Sequence, residues 1–306
     1  MPEVKTIDVL EGQRSALLAP ATGRRALYSE RVMEPLRPLW EHIMSFMPAG
    51  AASGSGEGGD PALAAARLIG LYDPDSDAGE GIDALAELDK RDSFAGCVRA
   101  QESALEALSP QEHGVDFEGV TFALALADPR TPDLMERHAG YMGGASFSDW
   151  ILAYVWPTDY NLPRLPALAV HELHHKVRLA FEPWDETTTV GQYLVLEGLA
   201  EAFAAERFGE ELLGPWTKAL TEDELETARP GMRDALEVSG FNEIRGYIFG
   251  DWAAPQFGYD PRGLPDFVGY SMGYRLVREY LQRTARSAVE ASYVPWGEIV
   301  EGSRYF

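Results

Sequence analysis

Three histidines and a glutamate fall within five consecutive positions of this 306-residue chain, in the run HELHH at 171–175. The outer histidines fit the pattern H-E-x-x-H, in which two imidazoles lie four residues apart. On a helix this spacing places both rings on one face, about 5–6 Å apart at Cβ, where they can share one ion. Two neutral imidazoles suit zinc, and the intervening carboxylate would lie beside a water in the open coordination position. The motif therefore predicts zinc-dependent hydrolysis, with His171 and His175 as ligands and Glu172 as general base.

The residues around the motif indicate which face of the helix the imidazoles occupy. Leu168, His171, His175 and Leu179 form one stripe at helical spacing, so the two imidazoles lie where the helix otherwise presents leucine to the core. This pattern favours metal binding over a solvated face that happens to carry two histidines. His174 lies off that stripe, and packing or surface exposure is the better interpretation of it.

A second predicted helix offers the third ligand, in the run LEGLAEAF at 196–203. Glu197 and Glu201 share a face with Val190 and Leu194, which would bury both carboxylates. A buried unpaired carboxylate costs on the order of several kcal/mol, so it requires a cation or hydrogen bonds. Spacing alone leaves either glutamate as the ligand. Gly198 would let this helix approach the H-E-x-x-H helix closely, unless it is simply a weak point in the helix.

Three segments together resemble a bacterial family of predicted zinc-dependent proteases (domain of unknown function 2268, YjaZ-like): HELHHKVR, LEGLAEAF and GYSMGYRLVREYL, the last at 269–281. The likeness covers roughly residues 115–306. It implies a gluzincin-type metallopeptidase in which two helices carry the metal. The positions of this sequence that match the family's metal site are His171, Glu172, His175 and Glu197. The run EGLA is also similar to the N-E-G-F-A segment of M1-type aminopeptidases, which favours Glu197 as the ligand. Glu201 would then hydrogen-bond a ligating imidazole and fix its tautomer.

Attack on a carbonyl produces an oxyanion, which needs a stabilising group besides the metal. In zincins that this sequence resembles, a tyrosine or histidine from a later helix often serves. Tyr270 and Tyr274, both in GYSMGYRL, are the candidates here, although each also suits a core or groove position.

The elements that must position these residues are mostly helices. The runs at 119–128 and 147–158 are rich in β-branched and aromatic residues and predict two strands. After them, Asn161 can cap the H-E-x-x-H helix, with Pro163 in its first turn. Further helices are predicted at 187–208, 211–239, 242–249 and 267–286, with Pro230 breaking the second of these.

The resemblance also implies where the strands lie. A zincin-like fold would make one strand, preferably 147–155, the sheet edge at which an extended peptide can pair. The run at 142–144, Met-Gly-Gly, would be a plain turn or a flexible entrance.

The first third of the chain predicts helices of its own. The segment Arg24–Met47 reads as one long amphipathic helix, 49–61 as a flexible loop, and 61–108 as shorter helices. We therefore expect an α+β fold that is mostly α, with a small β-sheet over the H-E-x-x-H helix and a helical C-terminal part. The expected division is a helical N-terminal region at 1–114 and a zincin-like metallohydrolase domain at 115–306.

Composition limits the partners. The formal charge of −23, from 26 Lys and Arg against 49 Asp and Glu, excludes nucleic acid and anionic membranes as favoured partners. The single cysteine, Cys97, cannot form an internal disulfide, and the first residues lack the apolar core of a signal peptide. No run approaches the roughly 20 apolar residues of a membrane span. These features predict a cytoplasmic protein, and they leave its oligomeric state open.

Three functions remain compatible with the motif. The first is a zinc peptidase acting on peptides or a protein. The second directs the same chemistry at a small-molecule amide or ester, because H-E-x-x-H reports how water is activated and not what it attacks. The third is a regulatory protein without catalysis, which three ligands and an adjacent base make the weakest of the three.

Overall fold

A computed structural model describes residues 2–45, 60–144 and 149–306. Its contacts group the chain into two compact units, one of Met1–Glu102 with Glu118–Ala169 and the other of Ser103–Phe117 with Val170–Phe306. The described residues form mostly helices and one small mixed sheet, which confirms the predicted α+β, mostly α fold class. The predicted loop at 49–61 lies outside the described residues except for its last two positions, and the division at 114/115 stays a prediction.

The elements follow in chain order. The strands are β1 (Glu3–Ile7), β2 (Gly119–Leu126), β3 (Tyr141–Gly144) and β4 (Trp150–Val155). The helices before β4 are α1 (Val9–Leu18), α2 (Ala21–Tyr28), α3 (Arg37–Ser45), α4 (Pro61–Ile69), α5 (Ala78–Lys90), α6 (Ser93–Leu108) and α7 (Pro132–Glu136). Those after it are α8 (Leu165–Phe181), α9 (Val190–Phe208), α10 (Glu222–Asp234), α11 (Phe241–Phe249), α12 (Ala254–Phe257), α13 (Val268–Thr284), α14 (Ala288–Ala291) and α15 (Trp296–Ser303).

The first unit contains the sheet, whose strand order is β1-β2-β4-β3. β2 runs parallel to both β1 and β4, and β3 runs antiparallel to β4. Ala123 at the middle of β2 lies opposite Ile7 on one side and Leu152 on the other. Because central parallel strands are covered on both faces, β2 is almost continuously apolar, which made it recognisable in the sequence.

Both predicted strands are confirmed, but neither is an edge of the sheet. β4 (Trp150–Val155) is hydrogen-bonded on both sides, so this part of the predicted edge at 147–155 is not free, while positions 147 and 148 lie outside the described residues. The described edges are β1 and β3. The run Met142–Gly144, predicted as a turn or entrance, belongs to strand β3. β1 was not predicted, because this strand has only five residues, EVKTI, which include two charged side chains and are largely exposed.

The predicted helix over Arg24–Met47 is wrong in its continuity. α2 ends at Tyr28, a π-helical turn follows over Ser29–Met33, and α3 begins at Arg37. Pro35 and Pro38 lack the N–H groups that a continuous helix would use there. The Trp40 indole donates to the Met33 carbonyl at 2.8 Å, which satisfies one acceptor at the interruption.

The second unit is helical and contains the H-E-x-x-H motif. Its apolar core joins α9, α10, α11 and α13 through buried aliphatic side chains, including Val190, Leu194, Leu225, Met232, Ile244, Ile248, Val268 and Met272. Within the described residues, no helix of the chain is long and apolar enough to cross a bilayer.

Two glycines allow α9 and α13 to cross closely in this unit. A Cβ on Gly198 of α9 would lie 2.1 Å from the carbonyl oxygen of Gly273 on α13, and a Cβ on Gly273 would lie 2.3 Å from that of Leu194. The two helices can cross this closely only because both residues lack a side chain. Gly198 was expected to bring α9 close to α8, and this prediction was wrong about the partner helix.

Two helix boundaries also differ from the predictions. Asn161 does not cap a helix through its side chain, which instead donates to the carbonyls of Ala139 at 2.9 Å and Trp156 at 2.8 Å. A short 3₁₀ turn follows, and α8 begins only at Leu165. Pro230 lies inside α10 rather than ending it. Because Pro230 has no N–H, the carbonyl of Glu226 lacks its helical hydrogen bond. Both residues lie on the exposed face of α10, where water can donate to that carbonyl instead.

Candidate metal centre

Helix α8 brings the motif residues into the interior of the second unit. His171, Glu172 and His175 are all buried, and the two imidazole rings stand nearly perpendicular with centroids 4.4 Å apart. Helix α9 contributes Glu197, which is also buried. One ligand atom from each of His171, His175 and Glu197 lies within 4.8 Å of the others. The structure thus brings together the three residues that the sequence suggested as ligands, in a group that could bind a metal.

The distances within this group fit a tetrahedral ion. Glu197 Oε2 lies 3.4 Å from His171 Nε2 and 3.3 Å from His175 Nε2. Bonds of about 2.05 Å at tetrahedral angles separate neighbouring zinc ligands by about 3.3–3.4 Å. Moreover, Glu197 Oε2 is buried and has no hydrogen-bond partner among the described residues. A cation among the three atoms would satisfy this otherwise orphaned oxygen.

The electrostatics also indicate a site that requires positive charge. Burial opposes protonation of His171, but the carboxylates of Glu201 and Glu197 outweigh it and raise its pKa well above 6.5. Burial likewise favours the neutral form of Glu197, but His175 and His171 lower its pKa to about 2. Without a metal, protonation of His171 is therefore favoured beside the two carboxylates. A divalent cation would supply the same balance and leave the rings neutral.

Glu201 lies one turn beyond Glu197 and faces the other nitrogen of a candidate ligand. Its Oε1 is 3.2 Å from His171 Nδ1 and accepts a hydrogen bond from Trp216 Nε1 at 2.5 Å. Contact at Nδ1 leaves Nε2 of the same ring free to face the metal position. The Trp216 carbonyl in turn accepts from Ser271 Oγ of α13 at 2.9 Å. Trp216 was not predicted, since nothing in its local sequence, GPWTK, points to the motif.

The two candidate tyrosines differ in their surroundings. Burial raises the pKa of Tyr270, and Glu197, Glu172 and Glu201 raise it further, so its hydroxyl lies within electrostatic reach of the metal group. Burial raises the pKa of Tyr274 as well, but its larger electrostatic partner is Glu210. The electrostatic surroundings therefore relate Tyr270 more closely than Tyr274 to the metal group.

A third tyrosine was missed as a functional candidate. Tyr193 lies on α9, one turn before Glu197, and is partly buried. Burial raises its pKa, and Glu197 and Glu172 raise it further. The signal was present in the sequence, because Tyr193 and Glu197 are four residues apart and share a helix face.

His174 and Arg178 hold α8 in place rather than facing the metal group. His174 is fully buried, and its Nε2 lies 2.8 Å from Ser292 Oγ. Arg178 donates to the carbonyls of Ser292 at 2.7 Å and Val294 at 2.8 Å. Of the two interpretations of His174 from the sequence, packing and surface exposure, the buried side chain agrees with packing. These bonds tie the second half of α8 to the segment after α14, which fixes the direction in which the ligand face points.

Comparison with known proteins gives the site its context. The sequence model of the family described as "Predicted Zn-dependent protease (DUF2268)" matches residues 97–301. The chain belongs to this family. It is 32% identical over 270 residues to the uncharacterized protein YjfC of Bacillus subtilis (strain 168), covering 88% of this chain and 87% of YjfC.

A second relative from the same organism is more distant. The chain is 26% identical over 217 residues to the uncharacterized protein YjaZ, covering 71% of this chain and 77% of YjaZ. No solved structure matches the chain. The match of residues 97–301 includes α8, α9 and α13, so every candidate site residue lies within the region that defines the family.

Proposed function

We propose that this protein is a zinc-dependent peptidase in which His171, His175 and Glu197 hold the metal and Glu172 is the general base. The observation that supports this most directly is the convergence of two imidazole nitrogens on a buried carboxylate oxygen that has no hydrogen-bond partner among the described residues. Three protein ligands leave one position of a tetrahedral ion open, whereas structural zinc sites have four. This count favours a catalytic role.

The side chains of the site divide the reaction between them. Zinc, when bound, acts as a Lewis acid that polarises the substrate carbonyl and acidifies water. Glu172 accepts a proton from the attacking water on its carboxylate and delivers it to the leaving amide nitrogen. Tyr270 donates its hydroxyl proton in a hydrogen bond to the carbonyl oxygen as negative charge develops there. With the metal bound, His171 Nδ1 would donate to Glu201 Oε1, which lies 3.2 Å away, and this contact would keep the orientation of the ring fixed.

The substrate belongs to the proposal too. Because the family is described as predicted proteases, we propose a peptide or protein as substrate. The cytoplasmic location predicted from the single cysteine is part of the same proposal. Nucleic acid is not expected as a partner at a net charge of −23.

The decisive experiment measures metal and cleavage in the same preparations. The purified protein is expected to contain about one zinc per chain and to cleave members of a random peptide library. Glu172→Gln should retain the metal and lose cleavage by a factor of about 10²–10⁴, because proton transfer is removed while the ligands stay. Glu186→Gln, in the exposed connection between α8 and α9, serves as the matched control and should behave as wild type.

Two outcomes would contradict the proposal. Unchanged cleavage by Glu172→Gln would remove this residue from the mechanism. Zinc retained without cleavage of any peptide, together with hydrolysis of small acyl amides or esters, would establish the small-molecule alternative instead.

A further inference from the structure

Arg245 on α11 is an unusual arginine for so acidic a chain. Its side chain is half-buried, with Cζ 3.7 Å from the Phe241 ring centroid and 4.6 Å from that of Phe257. Among residues 2–45, 60–144 and 149–306, no carboxylate oxygen lies within 4.0 Å of its guanidinium. The chain has 49 acidic residues against 26 basic ones, so a partner would have been easy to supply.

Two other shielded arginines of the second unit do have such a partner, whereas Arg207, whose Cζ lies 5.6 Å from the Phe203 ring centroid, donates to Ser103 Oγ at 2.7 Å. Arg178 pairs with Glu182, and Arg262, which stacks 4.5 Å from the Tyr247 ring centroid, pairs with Glu243. Arg262 thus resembles Arg245 in stacking on an aromatic ring of α11 and differs in having its charge balanced. Partial burial of an unbalanced guanidinium is unfavourable, and burial correspondingly lowers the pKa of Arg245. Such a residue is suited to an anion that arrives with a ligand.

The position of Arg245 links it to the metal group. Arg245 and Phe249 lie four residues apart on α11 and so share a face. The Phe249 ring lies 6.4 Å from Tyr193 and 6.2 Å from Tyr270, the two tyrosines within electrostatic reach of Glu197 and Glu172. Phe249 also stacks on Phe257 at 5.3 Å, the ring that Arg245 covers. A row of aromatic rings therefore leads from the metal group to the guanidinium.

We propose that Arg245 binds a carboxylate of the substrate, provided by an Asp or Glu side chain or by the free C-terminus of a peptide. This inference rests on the proposed function, since it names the substrate class of the same site. The planar guanidinium matches a carboxylate with two parallel hydrogen bonds, and its aromatic neighbours hold it in a fixed orientation. A doubly charged phosphate would suffer more repulsion from the surrounding negative charge.

The test compares peptides that differ only in one negative charge. One pair has Glu or Gln at a position removed from the cleaved bond, tested at successive positions along the peptide, and the other has a C-terminal acid or amide. We expect the zinc-loaded wild type to cleave the charged member of one pair roughly 10- to 100-fold faster in kcat/KM, as for a hydrogen-bonded ion pair. The pair that shows the preference distinguishes a side-chain carboxylate from a terminal one.

Three variants assign the preference to Arg245. Arg245→Gln should bring the ratio of the two rates close to one, and Arg245→Lys, which keeps the charge and loses the fork, should leave an intermediate ratio. Arg262→Gln is the matched control and should keep the wild-type ratio. If Arg245→Gln fails to fold, the lysine variant still decides, because an unchanged ratio in it contradicts a bidentate contact.

A binding measurement separates this proposal from the peptidase assignment. In Glu172→Gln protein, titration calorimetry should show that the charged peptide binds at least about tenfold more tightly than its neutral partner, a difference that Arg245→Gln removes. Selective binding without cleavage by the wild type would overturn the peptidase function and support Arg245. Cleavage and binding that ignore the peptide charge, or a preference that survives in Arg245→Gln, would refute the role of Arg245 and leave the peptidase function standing.

Discussion

Replacing Gly198 by alanine tests how closely α9 and α13 must pack beside the metal group. The added Cβ would lie 2.1 Å from the Gly273 carbonyl oxygen and 2.5 Å from its carbon, against an ordinary contact of at least 3.4 Å. The shortfall is thus 1.3 Å, and the obstacle is backbone that cannot rotate away. One of the two helices must therefore move.

The expected cost follows from two opposing contributions. Overpacking of this kind costs about 1–3 kcal/mol, and contact with rigid backbone places Gly198→Ala near about 3 kcal/mol. Alanine is better than glycine in a helix by about 1 kcal/mol, which leaves a net loss of about 2 kcal/mol in the free energy of unfolding. A Cβ added at Gly231, inside α10, would meet no described atom within 4 Å, so Gly231→Ala should gain about 1 kcal/mol.

Urea denaturation of the two variants and wild type, each at saturating zinc, measures this difference of about 3 kcal/mol. The same shift should lower activity, because Glu197 adjoins Gly198 while Tyr270 lies one turn before Gly273. A displacement of about 1 Å at a reacting centre can reduce the rate about 100-fold. A Gly198→Ala protein as stable as Gly231→Ala would show that the helices do not cross as described.

Three further predictions concern the metal group. Glu201→Gln should weaken zinc binding about 10- to 100-fold in competition with a chelating dye, while Glu206→Gln, further along α9, should not. Tyr270→Phe should lower kcat with little change in KM, whereas Tyr274→Phe should leave both unchanged, and an equal loss in the two would contradict the assignment of Tyr270. Chelation should lower the thermal midpoint of wild type but not that of His175→Ala. At a thousandfold excess of zinc over Kd, bound zinc contributes roughly 4 kcal/mol to the free energy of unfolding, and chelation removes this contribution.

The sequence predicted those parts of the fold whose information is local. The H-E-x-x-H spacing places two imidazoles on one face of any helix, and the apolar run of β2 marks a buried strand wherever it pairs. Glu197 and Glu201 could be recognised as a pair of carboxylates on an otherwise apolar face. Choosing between them required a resemblance, because both lie on the same side of α9 and nothing in their spacing decides which reaches the ion.

The rest depends on contacts between distant segments. Gln13 illustrates this, since its buried side chain both donates to the Leu126 carbonyl at 2.9 Å and accepts from the Leu126 N–H at 2.7 Å, 113 residues away. The bond from Trp216 to Glu201 and the crossing of Gly198 with Gly273 are of the same kind. In each case the local sequence permits the contact but does not specify the partner, so it could not be predicted.

The charges of the centre connect the base to the substrate proposal. Glu172, Glu197 and Glu201 carry −3 if both imidazoles are neutral, and a divalent cation reduces the total to −1. The centre that contains the proposed base, Glu172, thus keeps a net negative charge even with the metal bound. It also repels a substrate carboxylate held directly at the metal, so an acidic substrate must be bound by its charge at some distance from the cleaved bond. Arg245 meets that electrostatic requirement, because its guanidinium is uncompensated and is separated from the metal group by a row of aromatic rings.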